Sequence, residues 1–383
     1  MSTELAALLA WLRAGTPSEA RIDFRTGTAL PDGRLDLCKQ DLGPAGAARI
    51  AAALPGIGLG PETEAPVRHL LLGTDGLGDQ GADAVSAQTP GTGVSTLYLG
   101  CNKITTAGVC RIADNLRASP HVVKALWLKR NPLGPGAGHA AAALLDAAPD
   151  LRTLDLVQTG LTPADLAELV DALLAAHAAG RTFERIYLGG NPLGMSAGRT
   201  LAPVIEAGAV AEIYLSAAGL GDCGALDLAE ALGAAPHGTL RRLSLASNGI
   251  GPAAIAALVH ACAGAGVELL DFGRVRAAAF LGAPDNRIDE TAATAIGRAL
   301  SAAPHRLTHL VLTHTGIRSP EAHRLLDHAE HAATPTRYVL GNNIAASVKQ
   351  RLGVLSAAVP PPEVAADVAG TVSVYRTARP KAV

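Results

Sequence analysis

The chain has 383 residues, a formal net charge of −2 and a hydrophobic content of 49%. No run of about 18 apolar residues could span a bilayer, and the five cysteines contain no CxxC pair. These features disfavour a membrane span, a disulfide framework and a zinc ribbon. We therefore expect a cytoplasmic protein that binds no membrane and holds no metal.

The first residues of the chain have the apolar spacing of an amphipathic helix and lack the basic region of a signal peptide. A repeated pattern begins near residue 31, and an array of repeats needs a cap over the apolar edge of its first unit. We predict that residues 1–30 form this cap.

Over residues 31–350 a short apolar pattern returns about every 28 residues, which defines about eleven units. Each copy has two leucine-type positions separated by one residue, and this period of two predicts a short strand with one buried face. The second half of each copy is rich in Ala and apolar at helical spacing. Since one strand and one helix cannot bury their apolar faces alone, the units are expected to stack into a solenoid.

A polar turn position lies three residues after the second leucine position of each unit. The turn position is filled by Asn102, Asn131, Asn191, Asn248 and Asn343, by Asn286 if an insertion is allowed for, and otherwise by Gln40, Asp75, Thr159, Ala218 and Thr315. An amide at this position can bond the backbone groups that the turn leaves unpaired.

The resulting motif, L-x-L-x-x-N-x-L/I, resembles that of the leucine-rich repeat family. Complete copies such as Leu126–Leu133 and Ile186–Leu193 are similar to the long-repeat subtype typified by ribonuclease inhibitor and by the activating protein of the Ran GTPase. The resemblance implies an α/β horseshoe, with a concave parallel β-sheet and convex helices. It also implies that binding residues lie on the concave strands, and it implies no particular activity.

The ninth unit carries about eleven extra residues near 274–285, at the end of its strand. This insertion is either a variable loop or a partner contact made by Arg274, Arg276 and Phe280. The segment 351–383 contains three consecutive prolines that stop the last helix, and residues 371–376 have strand propensity. It is predicted to be a C-terminal cap, a strand on the sheet edge or a flexible tail.

The residue between the two strand leucines points out of the concave face. In five consecutive units this position holds Tyr98, Trp127, Asp155, Tyr187 and Tyr214. Aromatic residues make up only 3% of the chain, so the position is enriched in them. Large amphipathic rings on a rigid surface are typical of hot spots in protein recognition. We predict that this band binds a protein or peptide, with small residues such as Gly100 leaving the rings clear; the alternative is that the rings pack on one another.

Twelve basic and six acidic residues flank the strand leucines on the same face. The basic residues include Lys129, Arg130, Arg185, Arg242 and Arg274, so we expect a partner with an acidic surface. Nucleic acid is not favoured, because the basic residues are scattered along the chain and the isoelectric point is near 6.6.

No constellation of side chains indicates catalysis. Cys38 and Cys101 are placed two strands apart, and His309 and His314 lack a third metal ligand. The P-loop pattern is absent from the sequence. The sequence therefore predicts a non-catalytic interaction module with no cofactor, and it does not indicate an oligomeric state. The alternative is a regulator of a GTPase or another enzyme, since the resembling subtype includes one.

Overall fold

A computed structural model describes residues 4–56, 65–119 and 121–375 of the chain. The protein divides into two compact units, each of which contains several repeats. Below, the first unit is residues 1–160 with 364–383, and the second unit is residues 161–363. In both units short strands alternate with helices along the chain. This arrangement confirms the predicted α/β leucine-rich repeat architecture.

The first unit contains a seven-stranded sheet in chain order. Its strands are β1 (Ile22–Phe24), β2 (Gly27–Ala29), β3 (Arg34–Asp36), β4 (His69–Leu71), β5 (Thr96–Tyr98), β6 (Ala125–Trp127) and β7 (Thr153–Asp155). Its repeat helices follow α1 (Ala6–Ala14) and are α2 (Gly43–Ala51), α3 (Gly78–Gln88), α4 (Thr106–Arg117) and α5 (Ala137–Ala147). Strands β1 to β3 pair antiparallel and β3 to β7 pair parallel.

The second unit repeats the pattern with six parallel strands. They are β8 (Phe183–Tyr187), β9 (Val210–Tyr214), β10 (Arg242–Ser244), β11 (Leu269–Asp271), β12 (His309–Val311) and β13 (Arg337–Val339). The helices are α6 (Pro163–Ala178), α7 (Ala197–Glu206), α8 (Gly221–Ala234), α9 (Pro252–Ala265), α10 (Ala278–Leu281), α11 (Glu290–Ala302), α12 (Ser319–Ala329) and α13 (Ala346–Leu355).

Five of the predicted turn asparagines, Asn102, Asn131, Asn191, Asn248 and Asn286, bond backbone groups through their side-chain amides, as predicted, whereas Asn343 is exposed. Asn102 accepts a hydrogen bond from the backbone N–H of Asp75 at 2.9 Å and donates to the carbonyls of Leu72 and Leu99 at 2.7 and 3.0 Å. Asn286 makes the same contacts after the insertion, with donation to the carbonyls of Leu245 and Phe272. The amide thus satisfies backbone groups that would otherwise be buried without partners.

Each predicted terminal region has local structure of its own. Within residues 4–30 lie α1 and a hairpin of β1 and β2 that the sequence did not predict, and Trp11 packs against Phe24 with ring centroids 5.7 Å apart. The tail contains one helical turn, α14 (Ala366–Ala369), and the predicted strand is wrong for its described residues 371–375. The domain boundaries stay a prediction. Parts of the predicted domains, including residues 1–3 and 376–383, lie outside the described residues.

Candidate interaction surfaces

Each unit has an open face, meaning the side of its sheet that faces away from the repeat helices. Strand residues alternate between the two sides, so residues next to a buried leucine point to the open face. On this face lie Tyr98, Trp127 and Asp155 in the first unit and Tyr187 and Tyr214 in the second. The two units place these residues in different environments.

In the first unit the predicted aromatic residues are buried, so the expectation that they stand exposed is wrong. Tyr98 is 1% and Trp127 is 5% exposed, and their ring centroids lie 6.4 Å apart. The ring of Tyr98 lies over Gly100, where an added Cβ would be 2.8 Å from the tyrosine hydroxyl. Lys129 places its ammonium 5.3 Å from the same ring centroid. The small residue at 100 therefore accommodates the ring instead of leaving it clear, and the rings pack on one another.

Two other predicted residues of the first unit, Asp155 and Arg130, have hydrogen-bond partners of their own. Asp155 is buried and accepts a hydrogen bond from the backbone N–H of Val157 at 2.9 Å. Arg130 is exposed, and its Nε donates to Oε1 of Gln158 at 2.5 Å.

In the second unit three predicted residues converge on a buried carboxylate that the sequence did not single out. Glu212 is 3% exposed and lies 3.2 Å from Nε of Arg185 and 3.7 Å from Nε of Arg242. The hydroxyl of Tyr214 donates to Glu212 Oε2 at 2.8 Å. We call these residues, with Tyr187, the Glu212 cluster. A buried charge requires such partners, so the cluster fixes the positions of its side chains.

Two tyrosines of the Glu212 cluster are stacked on each other and partly accessible. Tyr187 and Tyr214 are half-buried neighbours on β8 and β9, with ring centroids 4.3 Å apart and an angle of 12° between the planes. Burial, followed by the charge of Glu212, raises the pKa of Tyr214 to about 12, so its hydroxyl stays a neutral donor. The stacked pair is a rigid apolar surface with polar edges.

A hydrogen-bonded chain of side chains continues along the same face. The hydroxyls of Ser216 and Ser244 lie 3.0 Å apart, and Ser244 donates to Asp271 Oδ2 at 2.9 Å. The other oxygen of Asp271 accepts the backbone N–H of Gly273 at 2.8 Å, and burial raises the pKa of this carboxyl. Ser244 and Asp271 occupy the same outward position as the tyrosines, which is the sequence signal that identifies them.

The insertion of the ninth repeat has exposed residues of its own. Phe280 on α10 is 90% exposed, and Arg274 lies 3.4 Å from the carboxylate of Asp285. Residues Leu281–Pro284 line a depression of about 430 Å³ together with turn residues that include Pro192 and Ala217. The insertion therefore packs next to the turns of the second unit and contributes no contact to the Glu212 cluster among the described residues.

Several of the basic residues that suggested an acidic partner have acidic neighbours within the chain. Arg241 lies 2.6 Å from the carboxylate of Glu184, and Arg274 lies 3.4 Å from the carboxylate of Asp285. Glu184 and Glu212 already belong to the six acidic residues counted from the sequence, so among these pairs that of Arg274 with Asp285 lowers the counted excess of positive charge. The preference for an acidic partner stays a prediction.

The C-terminal tail also contacts the open faces. In the second unit Arg242 donates to the backbone carbonyl of Glu363 at 2.7 Å. Residues Pro360–Glu363 border a cavity of about 240 Å³ whose other lining residues include Glu212 and His309. In the first unit residues 366–375 contact strands β2, β3, β4 and β7.

Within the described part of the chain, no group of three or more His, Cys, Asp or Glu residues is placed to hold a metal ion. None of the helices described there has the length and apolar character that crossing a bilayer requires.

Comparison with known proteins gives three findings. The leucine-rich repeat family model matches residues 239–259. The chain is 31% identical to ribonuclease inhibitor from Sus scrofa over 195 residues, which are 50% of this chain and 41% of that protein. It is 37% identical to Tonsoku-like protein from Bos taurus over 136 residues, which are 35% of this chain and 10% of that protein. The chain thus spans less than half the length of these curated relatives.

A solved structure of the yeast Rad7 and Elc1 complex contains a chain with a similar fold. Its TM-score is 0.51 at 16% identity, and the match covers 82% of this chain and 70% of that chain. Together with the strand–helix order and the turn asparagines, these similarities support a leucine-rich repeat protein. Among such proteins, the repeat length of this chain and its match to ribonuclease inhibitor make it ribonuclease-inhibitor-like.

Proposed function

We propose that this protein is a non-catalytic interaction module that binds a protein or peptide on the open face of its second unit. The observation that carries the proposal is the stacked pair of Tyr187 and Tyr214, held in place by the buried Glu212. Rings that are already ordered lose little conformational entropy on binding. Tyrosine is also enriched among residues that contribute most to protein interfaces.

The comparisons support a protein partner. Ribonuclease inhibitor by its name acts on another protein, and the structure with a similar fold is a complex of two proteins. Arg185 and Arg242 lie beside the tyrosines, and they add positive charge next to the apolar rings. We therefore propose a partner with an acidic surface, and a cytoplasmic location in keeping with the five free cysteines.

The test is to measure partner binding by the full chain and by the double variant Tyr187→Ala, Tyr214→Ala. The partner is first identified by affinity capture from the source lysate and mass spectrometry, and its binding is then measured by calorimetry. We expect the double variant to lose about 2 kcal/mol or more, which is roughly a thirtyfold weaker Kd.

Two control variants make the result specific. Val354→Ala removes an exposed apolar side chain on α13, away from the tyrosine pair, and should bind as the parent does. Phe280→Ala tests the insertion. If the double variant is folded by circular dichroism and binds as tightly as the parent, the tyrosine pair is not the site. A loss confined to Phe280→Ala would place the site on the insertion.

The alternative, a regulator of a GTPase, has a different readout. It requires that the parent protein accelerate GTP hydrolysis by its partner, whereas a binding module leaves that rate unchanged.

A further inference from the structure

The open face of the first unit carries a fully buried carboxylate whose oxygens are bonded by the C-terminal tail. Asp36 is 0% exposed. Ser373 donates its hydroxyl to Asp36 Oδ1 at 3.1 Å, and the backbone N–H of Val374 donates to Oδ2 at 2.6 Å. Ser373 is itself 2% exposed. A buried carboxylate needs hydrogen-bond donors, so this position is suited to a segment that supplies a hydroxyl and a backbone N–H.

A tyrosine is bound next to this carboxylate. Thr28 lies 2.8 Å from the hydroxyl of Tyr375, and Thr28 also donates its own proton to Asp23 at 2.8 Å. The hydroxyl of Tyr375 must therefore be the donor to Thr28. Lys39 donates to the backbone carbonyl of Tyr375 at 3.3 Å. These contacts recognise both the side chain and the backbone of the same residue.

Two further residues of the tail meet specific groups of the sheet. Thr153 on β7 donates to Asp367 Oδ2 at 2.6 Å. Gly370 passes so close to the imidazole of His69 that an added Cβ would lie 2.5 Å from its Nδ1. That nitrogen is 2.9 Å from the hydroxyl of Thr96, so the ring is held in place. Only glycine fits at this point without moving the ring.

The segment is attached to the sheet mainly by these polar contacts. Its described residues 370–375 form no strand, and the side chains of Val364 and Val372 are exposed. The core of the first unit is built from the buried strand leucines, which lie on the opposite side of the sheet from the open face. Each polar contact contributes little net stability, because its groups bond to water when the segment leaves. We therefore expect release of the segment to leave the repeat core intact.

We propose that the open face of the first unit is a recognition site for an extended peptide with the pattern Asp-x-x-Gly-x-x-Ser-x-Tyr. The chain's own residues Asp367–Tyr375 fill the site as a tethered ligand, and a partner protein that presents a segment of this chemistry displaces them. The tail of a second copy could make the same contacts. It would lack the roughly millimolar effective concentration that the tether gives to the chain's own tail. A partner that adds contacts of its own is therefore the occupant that the geometry favours. This site is distinct from the Glu212 cluster and does not rest on the function proposed above.

The experiment uses the full chain with a weakened tail and a peptide probe. In the variant Ser373→Glu a second carboxylate faces Asp36, so like charges repel and the tail should be released. The probe is a fluorescent synthetic peptide of residues 364–375. We expect saturable binding to Ser373→Glu that is at least about tenfold tighter than to the parent, whose site is filled. Hydrogen exchange of the amides of residues 366–375 should be faster in the variant.

Two controls test the chemistry of the site. A peptide with Gly370→Ala should bind at least about tenfold more weakly, because its methyl group would collide with His69. The same loss is expected for a peptide with Ser373→Ala, which lacks the hydroxyl that donates to Asp36. The variant Tyr187→Ala, Tyr214→Ala should leave peptide binding to the Ser373→Glu chain unchanged, which separates this proposal from the first.

Three outcomes would overturn the proposal. If Ser373→Glu fails to fold, or if its tail amides exchange as slowly as those of the parent, the segment is a permanent part of the fold. If the released chain does not bind the peptide, the site does not recognise it in trans. If the parent forms dimers whose fraction rises with concentration and falls with Ser373→Glu, the occupant is a second copy.

Discussion

Asp75 occupies the turn position that most repeats fill with Asn, and its buried carboxyl should make the stability of the protein depend on pH. Asp75 is 1% exposed, and burial raises the pKa of its carboxyl from the ordinary 3.8 to about 7. Its Oδ1 accepts the backbone N–H of Gln40 at 2.7 Å, and Oδ2 has no hydrogen-bond partner among the described residues. The folded protein therefore holds an ionised carboxylate at this position only at a cost.

The size of the cost follows from the difference between the two pKa values. At about 1.4 kcal/mol for each tenfold change in proton affinity, it reaches roughly 4 kcal/mol once both folded and unfolded states are ionised. Between pH 3.8 and 7 the folded state binds a proton that the unfolded state has lost. The stability gained from the protonated carboxyl is thus complete at low pH and is lost as the pH rises to about 7.

We therefore expect Asp75→Asn to raise the free energy of unfolding by up to about 4 kcal/mol at pH 8 and by little at pH 4. The assay is urea unfolding of parent and variant at pH 4, 6 and 8, followed by circular dichroism. The matched control is Asn102→Asp, which places a carboxylate at the same position of the next repeat. This variant should destabilise the chain most at pH 8. A difference between Asp75→Asn and parent that does not change with pH would refute this reasoning.

Two other predictions concern packing and cysteine chemistry. Gly198→Ala should lower stability by about 2 kcal/mol or more in thermal unfolding, because the new Cβ would lie 2.1 Å from the backbone carbonyl of Gly224. Gly233→Ala, where nothing lies within 4 Å, should cost nothing, and equal losses would contradict the close-approach argument. At pH 8 a thiol reagent should label the exposed Cys223 rapidly and spare Cys262, whose pKa is raised by complete burial. Mass spectrometry showing equal labelling rates would contradict that burial.

The repeat and its turn chemistry could be predicted from the sequence because both are local. A period of two fixes which strand residues are buried, and an Asn three residues after the strand has the donors and acceptor that the turn requires. The same logic identified Asn286 across the insertion, and its amide bonds the carbonyls of Leu245 and Phe272.

The exposure of the aromatic residues could not be predicted in this way. Strand alternation gives the face on which a ring lies, but the neighbouring side chains decide whether the ring stands up or lies flat. Tyr98 lies over Gly100 beneath Lys129, whereas Tyr214 is held by Glu212. Glu212 itself carried a usable signal, since it precedes Tyr214 by two residues on the same strand and so shares its face.

The position of the tail had no local signal, because Ser373 and Asp36 are 337 residues apart in sequence. A pattern at the outward strand position nevertheless indicates where such contacts form. Asp36 and Asp271 each accept the backbone N–H two residues later with Oδ1, at 3.1 and 2.8 Å. This local bond directs Oδ2 towards a distant donor, which is the N–H of Val374 for Asp36 and the hydroxyl of Ser244 for Asp271. An aspartate at this position is thus oriented by its own strand to bind a neighbour.

The different environments of the two aromatic pairs determine how a binding experiment should be designed. Removing Tyr98 and Trp127 would delete buried side chains, so a loss of binding could reflect unfolding instead of a lost contact. Tyr187 and Tyr214 are half-buried, and their removal changes a surface that a partner can reach. A variant that combined all four substitutions would mix the two effects. The double variant in the second unit mixes them less, and because Tyr214 also donates to the buried Glu212, its result is assigned to binding once circular dichroism shows that the variant is folded.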